Sequence, residues 1–344
     1  MVKYELVKDL EAYLKGKIEL LMNDSSKDLA RRYGYRNYMI VRYLDILGSI
    51  NEVLDLLNSF EKPLNPVIRC NKLKVRDCSY IHQRLKDLNY ELKVIEWEGS
   101  SYVVTKVGNV SLGATHEFLL GLYYLYRGSA SLIPPLILNP EGNDIVLDMA
   151  AAPGGKTSHM AQLMNNKGVI VAVEVSRVRV RALRSNIERL GVRNTIILRM
   201  NAVNIPKLFS EYFTKVLLDA PCSGEGLIQI DKSRKTKTSL DDLLRFREVQ
   251  TSLLNAAIES TTSGGYIMYS TCSIAPEENE LVITEILMRR DDIKVVKMPE
   301  LIKFSKGLTE YLGIELPSEL KLCGRLYPHR HGMEGFFLCL LKKL

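Results

Sequence analysis

The chain has 344 residues, 46% of them hydrophobic and 25% charged, with a formal net charge of +7. That length suggests about two domains and a well-buried core, and the even composition excludes low-complexity and disulfide-dense classes. The positive balance permits a polyanionic partner without requiring one.

Residues 1–60 are expected to be helical, because Leu6, Leu10, Leu14, Ile18 and Leu21, then Val41, Leu44, Leu47 and Ile50, recur at helical spacing. Pro63 and Pro66 break the pattern. Residues 61–112 then read as a small α+β module: strand-like 67–75, an amphipathic stretch 80–88, and strand-like 91–97 and 102–107. A helix over 117–126 and the Pro134-Pro135 pair lead into the last part, 113–344. From Asp144 strands and helices alternate: strand 145–148, a Gly-rich loop and helix, strand 169–173, helix 177–190 between Ser176 and Gly191, strands 195–199 and 215–219. Helix 240–261 follows Ser239, with Asp242 completing a capping box, then come strand 266–270 and a final strand over 334–341. This order predicts a mostly parallel, Rossmann-like α/β sheet with helices on both faces. The amino terminus lacks the apolar core of a signal peptide and no apolar run reaches transmembrane length, so a cytoplasmic, membrane-free and monomeric protein is expected.

In open parallel sheets, ligands bind where strand ends lead into helices. Ala150-Ala151-Ala152-Pro153-Gly154-Gly155-Lys156 occupies such a loop, and its small residues let a ligand approach the backbone. The pattern is neither Gly-x-Gly-x-x-Gly nor a phosphate loop, which argues against a dinucleotide or ATP. Glu174 ends the next strand, where a carboxylate can accept hydrogen bonds from ribose hydroxyls. Two cysteines occupy turns of the same kind: Cys222 in Asp219-Ala-Pro-Cys-Ser-Gly-Glu-Gly226, and Cys272 in Tyr269-Ser-Thr-Cys-Ser273 ahead of Pro276-Glu-Glu-Asn279. A thiolate near a helix start or a cation is a competent nucleophile, so this pair suggests covalent chemistry on an electrophilic ring. Cys70, Cys78, Cys323 and Cys339 are expected to be buried, reduced thiols. No ligand spacing calls for a metal.

These segments, with Arg325-Leu-Tyr-Pro-His329 and Glu334-Gly-Phe-Phe337, resemble the Sun-domain family of S-adenosylmethionine-dependent RNA cytosine-C5 methyltransferases, archaeal type, from about residue 30 to the carboxyl end. The resemblance implies that Cys272 adds to C6 of cytosine, that Cys222 assists product release, and that Asp219 and Lys156 steady the base. It also implies that residues 150–156, Glu174, Arg179, Asn201 and Asp219 hold S-adenosylmethionine. Asn201 stands where the family usually has Asp. The module before residue 110 is similar to the small RNA-recognition-like domain of that family. RNA is therefore the expected partner, tRNA first and rRNA second, with Lys232, Arg234, Lys235 and Lys237 as candidate phosphate contacts. The competing expectation is a non-catalytic RNA-binding or ribosome-assembly factor that keeps the fold.

Overall fold

Four helices open the chain, α1 (Leu10–Leu21), α2 (Asp24–Tyr33), α3 (Asn37–Leu47) and α4 (Ile50–Glu61); the computed structural model describes residues 2–344. Their breaks have local causes. Asp9 accepts the Ala12 N–H at the start of α1, and Asn23 and Ser26 cap α2 reciprocally. Gly34 and Gly48 end α2 and α3 in the left-handed region, at φ +75° and +68°. The apolar stripe of α3 and α4, including Ile40, Tyr43, Leu56 and Phe60, packs on Ile228, Ile274 and Tyr327. Helices far away in sequence thus lie directly against the segments that follow Cys222 and Cys272.

The second unit is a four-stranded antiparallel sheet. It contains β1 (Val67–Cys70), β2 (Glu91–Val94) and β3 (Ser101–Lys106), with α5 (Ser79–Asp87) between the first two. Its fourth strand, β4 (Tyr123–Tyr126), comes from beyond residue 112 and pairs with β1. The single helix expected over 117–126 is corrected here. Only His116–Leu119 is helical, Gly121 turns the chain at φ +72°, and the aromatic run Tyr-Tyr-Leu-Tyr takes the extended form that such residues favour against a partner strand.

The large sheet carries the chemistry. Strands β5 (Ile145–Asp148), β6 (Val169–Val173), β7 (Thr195–Leu198), β8 (Phe213–Asp219) and β9 (Thr261–Thr271) run parallel in the order β9-β8-β5-β6-β7. An antiparallel edge follows β9, with β11 (Phe336–Lys343) beside it and β10 (Gly324–Leu326) beyond. Helices α6 (Gly155–Leu163) and α7 (Arg177–Arg189) cover one face, and α8 (Leu240–Ser260) and α9 (Glu280–Arg289) the other. Alternate strand residues split between the two cores: Leu147, Val171 and Leu218 face one, Val146, Ile170 and Leu217 the other. Burial on both faces explains why these strands read as unbroken apolar runs. The strand order reverses between β5 and β8, and a crevice for ligands opens at such a point.

Four cysteines depart from expectation. Cys70 pairs with Cys78 and Cys323 with Cys339 as disulfides, so the reduced thiols expected at these four positions are corrected, and Cys222 and Cys272 are the free cysteines among the described residues. For Cys323 and Cys339 the cause is register, which spacing along the chain does not reveal. β10 and β11 pair Gly324 with Leu338, which brings the preceding Cys323 opposite Cys339.

Candidate active site

The loop after β5 is shaped by the backbone. Met149 N–H donates to Leu217 O and Ala151 N–H to Val173 O, at 3.0 and 2.9 Å, stitching the loop to both flanking strands. The Ala152–Pro153 peptide is cis, and Gly154 sits at φ +101°, a conformation that L side chains avoid. At Gly155 the constraint is space. A Cβ there would stand 2.8 Å from Tyr124 and 2.9 Å from Tyr126, the rings that β4 lays over the loop. Tyr126 Oη donates to Gly155 O at 2.7 Å. Below the loop, Thr157 Oγ1 donates to Asp148 Oδ2 at 2.7 Å, while burial holds the Asp148 carboxyl up to about 6.

Two cavities open from this loop, and Ala150 lines both. The first, about 560 Å³, runs past Met149, Glu174, Arg179, Asn201 and Pro221. Glu174 is buried; its Oε1 accepts the Ser176 N–H at 2.9 Å, and its Oε2 faces the Arg179 guanidinium at 3.1 Å without a hydrogen bond. Arg179 also donates to Ala152 O at 2.5 Å, tying Glu174 to the loop. Asn201 is exposed, and its Oδ1 accepts the Val203 N–H at 3.1 Å. An under-used buried carboxyl oxygen, an exposed rim amide and the small side chain of Ala150 suit a nucleoside ligand, so the lining of this crevice fits S-adenosylmethionine.

The second cavity, about 330 Å³, is lined by Lys156, Asp219, Cys272, Glu334 and Phe336, with Tyr124 and Tyr126 on its far wall. Lys156 Nζ donates to Asp219 Oδ2 at 2.7 Å, and Ser270 Oγ donates to Asp219 Oδ1 at 2.8 Å. Burial opposes the ammonium, but the Asp219 charge and hydrogen bond outweigh it and hold Lys156 up to about 12. Cys222 Sγ lies 3.2 Å from Cys272 Sγ. The Cys222 thiol is pushed well above its ordinary value, first by the hydrogen bond it shares with Cys272 and then by burial.

The two thiol turns are clamped from several directions. β8 and β9 pair Asp219 with Ser270, which sets both turns at the same level. Gly226 N–H donates to Cys272 O at 3.0 Å, and a Cβ at Gly226 would lie 1.9 Å from Gly335 O. The buried Glu278 accepts Ser223 N–H at 2.7 Å and Ser223 Oγ at 2.6 Å, and burial lifts its carboxyl to about 7. Gln250 on α8 donates to Pro221 O at 2.8 Å. Beneath these, Arg42 on α3 donates to Glu225 and, at 3.2 Å, to Glu277; Tyr43 Oη reaches Glu225 at 2.8 Å and Tyr311 Oη reaches Glu277 at 2.6 Å. Sequence reasoning passed over Arg42, Tyr43, Gln250 and Glu278. The one available signal was the run Pro276-Glu-Glu-Asn279, whose adjacent acidic residues read as an exposed helix start but are wholly buried.

The structure thus brings Cys272, Cys222, Asp219 and Lys156 together and sets Ala150, Glu174, Arg179 and Asn201 along the adjoining crevice; Ala151, Ala152, Pro153 and Gly155 line the thiol cavity instead, and Gly154 lines neither. The basic cluster is placed differently from a free RNA surface. Lys232 donates to Phe60 O and pairs with Glu61 at 3.2 Å, Lys235 pairs with the same carboxylate at 2.6 Å, and Arg234 donates to Ser223 O. These three bind the helical segment and the Cys222 turn to the sheet domain. Lys237 is exposed and forms no ion pair among the described residues.

A doubly wound sheet with a nucleoside crevice at its switch point and paired thiols beside it defines a Rossmann-like methyltransferase. Residues 135–342 match the family described as 16S rRNA methyltransferase RsmB/F, and the chain belongs to that family, which is of the S-adenosylmethionine-dependent class. It is 37% identical over 323 residues to the Caenorhabditis elegans 26S rRNA (cytosine-C(5))-methyltransferase nsun-1, covering 92% of this chain and 48% of that protein. It is 38% identical over 328 residues to the human 28S rRNA (cytosine(4447)-C(5))-methyltransferase, covering 94% and 39%. The chain therefore spans about half or less of these relatives. A crystal structure of a methyltransferase homologue from Pyrococcus horikoshii superposes with a TM-score of 0.82 at 38% identity, covering 94% of this chain and all of the other.

Proposed function

We propose that the protein is an S-adenosylmethionine-dependent RNA cytosine-C5 methyltransferase, with rRNA as its substrate class. The observation that carries the reading is that Cys272 lines one cavity with the Lys156–Asp219 pair, has Cys222 Sγ 3.2 Å behind it, and adjoins the cofactor crevice through Ala150. The rRNA assignment replaces the expectation of tRNA, because relatives across worm, human and Vibrio cholerae are named as rRNA methyltransferases.

C5 of cytosine is a weak nucleophile, and adding a thiolate at C6 makes it an enamine carbon that can take a methyl group. S-Adenosylmethionine supplies that group when bound. The residues divide the remaining work by position. Cys222 keeps its proton and donates toward Cys272, which leaves Cys272 as the sulfur free to attack. The Lys156 ammonium lines the same cavity as Cys272. Asp219, held between Lys156 and Ser270, offers a carboxylate oxygen to the exocyclic amine of the ring, which donates to it. After methylation the C5 proton leaves as the Cys272–C6 bond breaks, which restores the aromatic ring and returns the bonding pair to Cys272 as a thiolate; Cys222, once its own proton has passed to solvent, is the base placed to take that C5 proton. The base reaches such a pocket only from a loop or flipped out of a helix.

The test uses labelled S-adenosylmethionine and rRNA. Wild type is expected to form C5-methylcytosine, Cys272→Ala to lose it by about 10³-fold or more, and Cys222→Ala to accumulate a denaturant-resistant RNA adduct. Full activity of Cys272→Ala would refute the assignment.

A further inference from the structure

We propose that a separate cavity beside the reaction pocket seats the base of the nucleotide adjoining the target cytosine. This inference rests on the RNA-methylation reading above and extends it to sequence recognition. The cavity measures about 340 Å³ and lies where α4, the entry to β1 and the sheet domain meet.

Its place follows from three segments that cross between the two cavities. Leu227, Ser131 and Glu334 line the reaction pocket, while Gln229, Ser129 and Gly332, each two residues away, line this one. Two residues span at most about 7 Å. The two cavities therefore share a wall one chain thick, and a strand that delivers a base to Cys272 passes the mouth of the other.

Its chemistry suits a nucleobase. Amide (Asn65, Gln229), hydroxyl (Ser59, Ser129) and imidazole (His329) groups line it together with one ammonium, Lys62, and no carboxylate. Glu52, which pairs with the lining residue His329, is taken up by His329 Nε2 at 2.8 Å and Arg330 at 2.9 Å. Sequence-specific RNA recognition reads unstacked bases through such mixed donors and acceptors, with flat apolar surfaces for stacking; Pro63 and Pro328 supply those surfaces. Gln229 is already oriented, since its Nε2 donates to Lys62 O at 3.2 Å. Its Oε1, and Nδ1 of His329, are buried with no hydrogen-bond partner among the described residues. Both residues line the cavity, so two unpartnered acceptors stand just behind its wall, which an isolated fold does not explain. A small opening of that wall on binding would bring both to the donors of a base edge.

The experiment gives the full chain S-adenosylmethionine and a pool of short RNAs, each with one cytosine between randomised nucleotides, and maps methylation by bisulfite sequencing. Wild type is expected to prefer particular bases at one adjoining position. Gln229→Ala and Asn65→Ala are expected to reduce that preference about tenfold, the worth of one lost base contact, with S-adenosylmethionine binding unchanged by calorimetry. Methylation without a neighbour preference, or a preference that survives both substitutions, overturns the proposal. If wild type methylates nothing, the methyltransferase reading fails instead, and cross-linking of a 4-thiouridine version of the pool decides the cavity alone. Labelled peptides from 59–67, 227–232 or 328–332 support it, and labelling confined to other segments overturns it.

Discussion

The cofactor crevice and the thiol cavity share Ala150, yet they are built by different means. The crevice is made by the segments that leave β5, β6 and β7, closed on one side by Pro221 and α8, and its rim residues Arg179 and Asn201 are exposed. The thiol cavity is assembled from afar. Its turns are held by Arg42 from α3, Gln250 from α8, Glu278 from the segment before α9 and Gly335 from the start of β11. A methyl donor with many polar groups tolerates a soft rim. Two sulfurs that act on one ring, as proposed above, would not, since small misplacements are costly in catalysis.

The comparison breaks most visibly at Arg42. Truncation by Arg42→Ala leaves Glu225 and Glu277 buried without their cation, at a cost of about 3–5 kcal/mol. Chemical denaturation measures that loss; an unchanged midpoint would show that the thiol turns do not depend on the helical segment.

Glu278 sharpens the same point through pH. Its carboxyl stands at about 7 in the fold against an ordinary 4.5, so the folded chain holds the proton that the unfolded chain has released. Its contribution makes stability fall as pH rises from about 4.5 to about 7, and leaves it level above, by on the order of 3 kcal/mol in all. Glu278→Gln should flatten that part of the curve, read as denaturant midpoints between pH 4.5 and 8. An unaltered slope would place the titration elsewhere.

On the cofactor side the effects should be smaller. Asn201→Asp exchanges a neutral acceptor for a charged one, which strengthens a hydrogen bond by about 1 kcal/mol. Calorimetry should then show S-adenosylmethionine binding about fivefold tighter, with the covalent step unchanged. Smallest of all is Lys237→Ala, which should weaken RNA binding slightly and reduce the slope of log affinity against log salt by about 1. A slope that does not move removes Lys237 from the RNA surface.

Much of this was legible in the chain. The alternation from Asp144 onward, the caps at Ser176 and Ser239, and the parallel strands are local or periodic features, and each appears within a few residues of its expected place. The run 117–126 failed because its fate depends on β1, some 50 residues earlier, which offers the aromatic strand a partner.

What the sequence settled by itself is the order of strand, turn and helix around Gly154, Cys222 and Cys272, because hydrophobic period and turn chemistry act over a few bonds. Only the tertiary structure decided which side chains hold those turns still, which lysines are spent inside the fold, and which cysteines pair. Those outcomes depend on the register of strands and on desolvated ion pairs between segments up to 235 residues apart, where distance along the chain carries no information about distance in space.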